Sequence, residues 1–551
     1  VIAINLDKVT VTYITEPVFE NLTWEIHDNR VTGLVGPNGC GKSTLLKLIN
    51  GELTSDSGFI TRRSKLSVGY LPQEPTLNLE NTVLIEVSSA HETLSQLEIS
   101  LTKIENKIAD PEVYNDPSKL TRAIEKQSRL FEEYTSLGGP GFDGHVKAIL
   151  NQLGFKDADF SLPVKVLSGG QKKLVGLAKL LIMKPNFLLL DEPDNHLDLD
   201  GKDFLANFIQ NYPGGVIIVS HDRFLLDLVV DEIVDLEDGN LNIYPGNYSE
   251  YAYEKQTRLL RQQQRYQAQQ KEIDRLEQSA KRLLTWGQVY DNIKFIKRGK
   301  NILKRIERMD KIDRPVLDRK RMGLELPGWR GSNKILEINA LDKIFNTSNK
   351  GDSILFEGLE TTIWRGERVG LVGPNGSGKS LLFKMILHQE SPTHGNINLG
   401  PSVKVGYYAQ EHETLDYDRT LIDTIRQAAP LSESDAVAFL GKFLFTYEQA
   451  RGLVTNLSGG ERSRLQMALL MLSGANFLML DEPTNNLDIP SAEALEDALV
   501  DFEGTILVIS HDRYFLDQTI NKIFEIENKS LIEYTGNYSD YYKKKSKHAG
   551  N

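Results

Sequence analysis

The loop Gly36-Pro-Asn-Gly-Cys-Gly-Lys-Ser43 returns as Gly373-Pro-Asn-Gly-Ser-Gly-Lys-Ser380, at an offset of 337 residues. Gln73 and Gln410 keep that offset, each a few residues after a Val-Gly-Tyr strand pattern. Downstream the offset falls to 290. Leu-Ser-Gly-Gly at 167–170 pairs with 457–460, Asp191-Glu192 with Asp481-Glu482, and Ser-His-Asp-Arg at 220–223 with 510–513. The Gly-Asn-Tyr-Ser at 246–249 returns at 536–539, still at 290. A register held over so many motifs is that of a duplicated unit. The first copy carries 47 extra residues between Gln73 and Ser168. The chain therefore divides into two large α/β halves, 1–250 and 326–551, separated by 251–325.

Each loop has the spacing G-x-x-x-x-G-K-S, follows a β-type run (Arg30–Val35, Arg368–Val372) and leads into an apolar helical run. That context makes it a phosphate cradle. Glycines let backbone N–H groups face the phosphates, and the helix N-terminus adds positive potential. Lys42 and Lys379 are expected on the β- and γ-phosphates of a nucleotide, with Ser43 and Ser380 giving a hydroxyl to Mg²⁺. Asp191 and Asp481 end buried-strand patterns, where a carboxylate holds Mg²⁺ through water or from behind its direct ligands. Glu192 and Glu482 follow, placed to polarise an attacking water. A lone histidine is more often structural than functional. Two in register, His221 and His511, favour a γ-phosphate contact.

Apolar residues make up 40% and charged residues 25%, the balance of a globular protein. No apolar run reaches the roughly 18 residues that a bilayer requires, and the first residues lack the basic-then-apolar pattern of a secretory signal. Cys40 is the sole cysteine, which excludes an intrachain disulfide and a cysteine-ligated zinc or iron–sulfur site. A cytoplasmic protein is expected. Net charge is −12, but residues 254–323 carry 20 Lys+Arg against 9 Asp+Glu. A basic connector between acidic lobes points to a polyanionic partner, or to a solvated coiled coil with surplus cations.

Leu167-Ser-Gly-Gly-Gln171 and Leu457-Ser-Gly-Gly-Glu461 resemble the signature motif of ABC ATPases. The resemblance extends in both halves to the P-loop, Gln loop, Asp-Glu pair, Leu-Asp loop (Leu197-Asp198, Leu487-Asp488) and His loop. It implies two ATPase domains meeting head to tail, each ATP lying between one P-loop and the opposite signature. One site would join Gly36, Pro37, Asn38, Gly39, Cys40, Gly41, Lys42, Ser43, Thr44, Asp191, Glu192 and His221 to Ser458, Gly459, Gly460 and Glu461. The other would join Gly373, Pro374, Asn375, Gly376, Ser377, Gly378, Lys379, Ser380, Leu381, Asp481, Glu482 and His511 to Ser168, Gly169, Gly170 and Gln171. The resemblance also places Gln73 and Gln410 at Mg²⁺, and Tyr13 and Phe345 as aromatics that stack on adenine; each ring is otherwise a core residue at a strand end. Both sites are expected to hydrolyse ATP. They depart from each other at Asp194-Asn-His against Thr484-Asn-Asn, and at Thr44 against Leu381.

In the connector, Leu259, Tyr266, Ile273, Leu276, Ala280 and Leu283 recur at coiled-coil steps, and Ile302, Ile306 and Met309 continue them. Two amphipathic helices with a short link predict an antiparallel hairpin. Near its turn Trp286, Tyr290 and Phe295 interleave with Lys294, Lys297 and Arg298. This set suits base stacking and phosphate contact, or equally a ring cluster closing the hairpin. Twin ATPases joined by such a hairpin are similar to the ABC-F family. The resemblance implies a monomeric, ATP-driven clamp on the ribosome, its linker reaching rRNA and tRNA near the exit site and peptidyl-tRNA. It also implies a helical arm within the 47-residue insertion, at about 86–137 and broken at Pro111 and Pro117. A housekeeping translation factor and an antibiotic-resistance protein share these parts. An ATPase subunit of a membrane transporter is the competing reading, and a DNA-repair or chromosome ATPase a third.

Overall fold

The computed structural model describes residues 1–13, 16–195, 197–289, 293–309, 331–347, 351–409, 415–485 and 487–549. Each half is built on a six-stranded sheet with the same strand order. In the first half it runs Val68–Leu71, Phe187–Asp191, Gly215–Val219, Val31–Val35, Glu232–Glu237, Asn240–Pro245. In the second it runs Val405–Tyr408, Phe477–Asp481, Thr505–Ile509, Arg368–Val372, Lys522–Glu527, Ser530–Thr535. The first five strands of each are parallel and the last is antiparallel. Phe187–Asp191 and Gly215–Val219 are buried at every residue, which is why they read as unbroken apolar runs rather than alternating ones. A three-stranded antiparallel sheet covers each P-loop strand: Glu16–His27, Ile2–Tyr13 and Ser57–Arg62 in one half, Gly351–Trp364, Lys334–Thr347 and His394–Leu399 in the other.

The extra residues of half one form the helices Glu92–Ile108, Pro111–Tyr114 and Pro117–Ser136. Pro111 and Pro117 stand at helix starts, where the missing N–H costs nothing, and Asp116 caps the last helix through the amides of Ser118 and Lys119. The arm begins later than position 86. Glu86 belongs to the preceding helix, Val83–Ser88, where it is buried and paired with Lys179 at 2.6 Å inside the ATPase domain. Helical periodicity ran across that junction because both helices bury an apolar face.

Tyr248–Val289 is one continuous helix of 42 residues, roughly 60 Å long at 1.5 Å per residue. Ile293–Glu307 folds back on its distal part. Ile273, Ala280 and Ile306 are buried in the seam, and Glu272 faces Arg305 at 3.9 Å. Gly299 lies where a Cβ would come within 2.8 Å of Leu284 Cγ and 3.1 Å of the Ala280 carbonyl, so the two backbones meet at closest approach there. Residues 310–325, the end of the expected linker, lie outside the described residues.

The halves meet through their Leu-Asp loops. Leu199 of half one packs against the core of half two, and Ile489, its register mate at +290, packs against the core of half one. Arg223 pairs with Glu496 and lies 4.0 Å over the Tyr514 ring. Arg513 reciprocates, bonding Asp203 at 2.6 Å and lying 4.9 Å over Phe224.

Candidate active sites

Glycine geometry shapes both P-loops. Gly41 (φ +103°) and Gly378 (φ +93°) precede the loop helices in the left-handed region, and a Cβ on either would strike Phe19 or Phe356 respectively. Lys42 Nζ donates to the Gly36 and Pro37 carbonyls at 2.9 and 3.0 Å; Lys379 does the same to Gly373 and Pro374 at 2.8 and 3.0 Å. Both ammonium groups are thus held over the hollow of the loop. Burial holds the Lys379 ammonium below its usual range, partly offset by Glu482.

One cavity of about 1040 Å³ spans the two halves. Half two supplies Pro374, Asn375, Gly376, Gly378, Lys379, Ser380, Leu381, Asp481, Glu482 and His511; half one supplies Ser168, Gly169, Gly170 and Gln171. Ser168 is the N-cap of the helix Gly169–Met183, locked by a reciprocal box with Gln171, so its positive end faces the opposite P-loop. The Asn375 amide donates to Asp198 Oδ2 of the other half at 3.2 Å.

The first P-loop carries the mirror contact, Asn38 N–H to Asp488 Oδ2 at 3.1 Å. Ser458 caps the helix Gly459–Leu472 with Glu461 in the same box. Ser43 hydrogen-bonds the buried Asp191, whose Oδ1 has no hydrogen-bond partner. Burial raises the Asp191 carboxyl. A buried carboxylate oxygen left over beside a serine hydroxyl fits a hydrated divalent cation. Among the described residues no cluster of three His, Cys, Asp or Glu side chains forms a cage, so such a cation needs the nucleotide's own phosphate oxygens.

Glu192 and Glu482 both adopt φ near +50°, uncommon for a non-glycine residue. Their amides bond Val219 and Ile509 on the neighbouring strand, which fixes the bend. Their carboxylates differ. Glu192 accepts from Gln73 Nε2 at 2.7 Å and Asn195 Nδ2 at 2.6 Å, with His221 Nε2 at 3.6 Å from Oε1. Burial works against its charge, but His221 and Lys173 outweigh it and keep the carboxyl below its usual range. Glu482 accepts from the His511 amide at 3.3 Å, with Nε2 at 3.4 Å. Its deeper burial, then Asp481, push it up to about 8. The same burial, with Lys379 and Lys202 nearby, holds His511 well below the usual histidine range and thus neutral.

Gln73 therefore sits on the Glu192 carboxylate, while Gln410 lies outside the described residues, as do His196, Asn486, Tyr290 and the side chain of Tyr13. Phe345 is 45% exposed at a strand end with Lys343 Nζ 5.3 Å from its ring centre, a flat face open to a stacking partner. Trp286 is 48% exposed near the linker tip; Lys294, Lys297 and Arg298 are exposed, and Phe295 is half-buried. Three groups escaped the motif reading. Lys173 Nζ bonds the Glu192 carbonyl at 3.0 Å, Asn195 holds its carboxylate, and Lys202 reaches across to half two. The signal for the two lysines was the +290 register, in which Lys173 pairs with Ser463 and Lys202 with Ala492; Asn195 pairs with an identical Asn485 and gave none.

Comparison with known proteins follows the same outline. A family model described as ABC transporter matches residues 19–195 and 356–485, and a second model of that description matches 234–325, across the linker. The chain is 36% identical over 545 residues to the putative ATP-binding protein YdiF of Bacillus subtilis, covering 98% of this chain and 83% of that one. It is 34% identical over 538 residues to the energy-dependent translational throttle protein EttA of Escherichia coli K12, covering 96% and 93%. To ABC transporter F family member 5 of Arabidopsis thaliana the identity is 33%, covering 98% and 77%. A solved complex of the archaeal ribosome recycling factor aABCE1 shares the fold, with a TM-score of 0.58 at 19% identity, covering 94% of this chain and 87% of that one. With its tandem ATPase domains, matched linker and full-length relatives, the chain belongs to the ABC-F family and is an ATPase.

Proposed function

We propose that this protein is a cytoplasmic, monomeric ATP-driven clamp on the ribosome. ATP would bind at two composite sites, one using Lys42, Ser43, Asp191, Glu192 and His221 with the Ser458 signature, the other Lys379, Ser380, Asp481, Glu482 and His511 with the Ser168 signature. The carrying observation is the cavity shared by the Ser168–Gly170 helix terminus and the Lys379 loop. A site with walls from both halves is completed only when they close. Mg²⁺, when bound, would neutralise charge on the phosphates. Lys42 and Lys379 lie ready to swing from their loop carbonyls to phosphate oxygens. Glu192 and Glu482 would orient and deprotonate the water, and neutral His511 would donate a hydrogen bond.

Closure would reshape the linker, which continues unbroken from half one. Its exposed Trp286, Lys294, Lys297 and Arg298 suit contact with rRNA or tRNA, an assignment supported by the basic charge of the segment and by the translational relative EttA. Hydrolysis would release the clamp. Among the described residues no helix is long and apolar enough to cross a membrane. Glu192→Gln combined with Glu482→Gln should hold the ATP-loaded protein on ribosomes, read as co-sedimentation in a sucrose gradient. An ATP-loaded double variant that stays at the top of the gradient sinks the ribosome reading.

A further inference from the structure

Lys202 lies four residues past Asp198 of the Leu-Asp loop of half one, on the helix Leu199–Gln210. Its Nζ donates to Asp222 Oδ2 in its own half at 2.7 Å and to the backbone carbonyl of His511 in the other half at 2.9 Å. The side chain is 12% exposed, and the buried Asp194 and the half-buried Asp512 act on it from the two halves. One lysine thus stands among three carboxylates, two of its own half and one that closure brings from the other. Without the lysine, Arg223, acting on Asp512, and Arg513, acting on Asp222, would offset them only in part, and the remaining repulsion would resist that closure. The residue it touches across the interface is His511, through its carbonyl, and the amide on the other side of the His511 Cα in turn donates to Glu482 Oε2 at 3.3 Å. In half two the position in register is Ala492, whose side chain has no donor.

We propose that Lys202 is a positioning residue acting across the interface on the Glu482 site, holding the His511 backbone by its carbonyl so that the amide and ring of the same residue bracket the Glu482 carboxylate. This rests on the assignment of Glu482 and His511 to ATP hydrolysis. The consequence is a one-way dependence. The Glu482 site has Lys379 of its own half but reaches its working geometry only when half one delivers a second lysine to it, whereas the lysine on the Glu192 carbonyl, Lys173, belongs to the same half as that glutamate.

The test uses the full chain in two backgrounds. In Glu192→Gln the remaining hydrolysis reports the Glu482 site; in Glu482→Gln it reports the Glu192 site. Lys202→Met should lower kcat about tenfold or more in the first background, with KM for ATP within about twofold, and change kcat less than about twofold in the second. Equal losses in both backgrounds would make Lys202 an interface strut and overturn the proposal, as would no loss in either. If Lys202→Met does not fold, Lys202→Gln, which keeps a donor but no charge, is measured against the same two criteria. The chain carrying both Glu→Gln changes checks the underlying assignment. If it still hydrolyses ATP, that assignment fails and this proposal with it; if it is inactive, the Lys202 result stands alone.

Discussion

The two halves carry the same motifs in the same order on the same sheet, yet their glutamates occupy opposite electrostatic settings. Glu192 has side-chain donors from Gln73 and Asn195 and a lysine at its carbonyl, and it is held charged. Glu482 is sealed more deeply, beside Asp481, with the His511 amide on its carboxylate, and its carboxyl rises to about 8. Duplication preserved the P-loop lysines and serines, the Asp-Glu pairs, the signature Ser-Gly-Gly and the histidines. It did not preserve all of the shell behind them, since Lys173 and Lys202 pair in register with Ser463 and Ala492, and that shell decides how ready each carboxylate is to accept a proton. Identical motifs therefore do not make identical sites.

The interface contacts show the same near-symmetry, and breaking them should give unequal results. Arg223 forms a two-point pair with Glu496, and both partners are buried. Arg513 pairs with Asp203, which is 39% exposed. Removing one partner of a buried pair strands the other charge, so Arg223→Ala should weaken closure by about 3–5 kcal/mol. Arg513→Ala should cost about 1 kcal/mol, because water screens Asp203. The distance between fluorophores on the two halves, followed as Mg-ATP is titrated, reads both. Equal shifts would mean that the pseudo-symmetry, not burial, governs the interface.

Much of this was legible in the sequence because it is local. A P-loop, a buried strand ending in Asp-Glu and a Ser-x-x-Gln/Glu cap are each set within a few residues, and duplication made them visible as a register. The hairpin was legible through its seam, since Ile273, Ala280 and Ile306 fall at heptad steps and are buried. What was not legible depends on crossings between distant segments. Glu86 carries the same helical period as the arm, and only its partner Lys179, 93 residues on, places it in the ATPase domain. Lys202 meets His511 across 309 residues, and nothing near either one announces the other. The nearest clue was negative: a lysine in one copy where the other has alanine.

Lys173 sharpens the comparison inside one half. It is buried, close to Asp191, Glu192 and Asp194, and burial, offset by those carboxylates, lowers its own ammonium. Lys173→Ser installs the residue of half two. Losing the cation should cost about 2 kcal/mol of stability in half one, as buried carboxylates lose a compensating partner. It should also move Glu192 towards the raised state of Glu482. A thermal melt checks the first effect, and the pH dependence of hydrolysis in Glu482→Gln checks the second, its acid limb shifting to higher pH. A melt and a pH limb that both stay in place would mean that the difference between the glutamates lies elsewhere in the shell.

The smallest expected effect concerns where each half ends. Tyr251 and Lys255, at the root of the linker helix, both bond Asp235 Oδ2, at 3.0 and 2.5 Å. Tyr541 and Lys545, on the helix Tyr538–Ala549, grip Glu525 in the same way, the tyrosine at 2.7 Å. Asp235 pairs in register with Val35, and Glu525 with Val372, each the residue before a P-loop glycine. Both helices are thus anchored one strand away from a phosphate cradle, but only the first goes on into the basic hairpin. Tyr251→Phe and Tyr541→Phe should each cost about 1 kcal/mol, the net value of one hydrogen bond. Their stabilities should fall alike, whereas protease protection of the hairpin should change with nucleotide less sharply in Tyr251→Phe alone. If Tyr541→Phe disturbs the hairpin as much, the strand beside the first P-loop is not the route by which nucleotide reaches it.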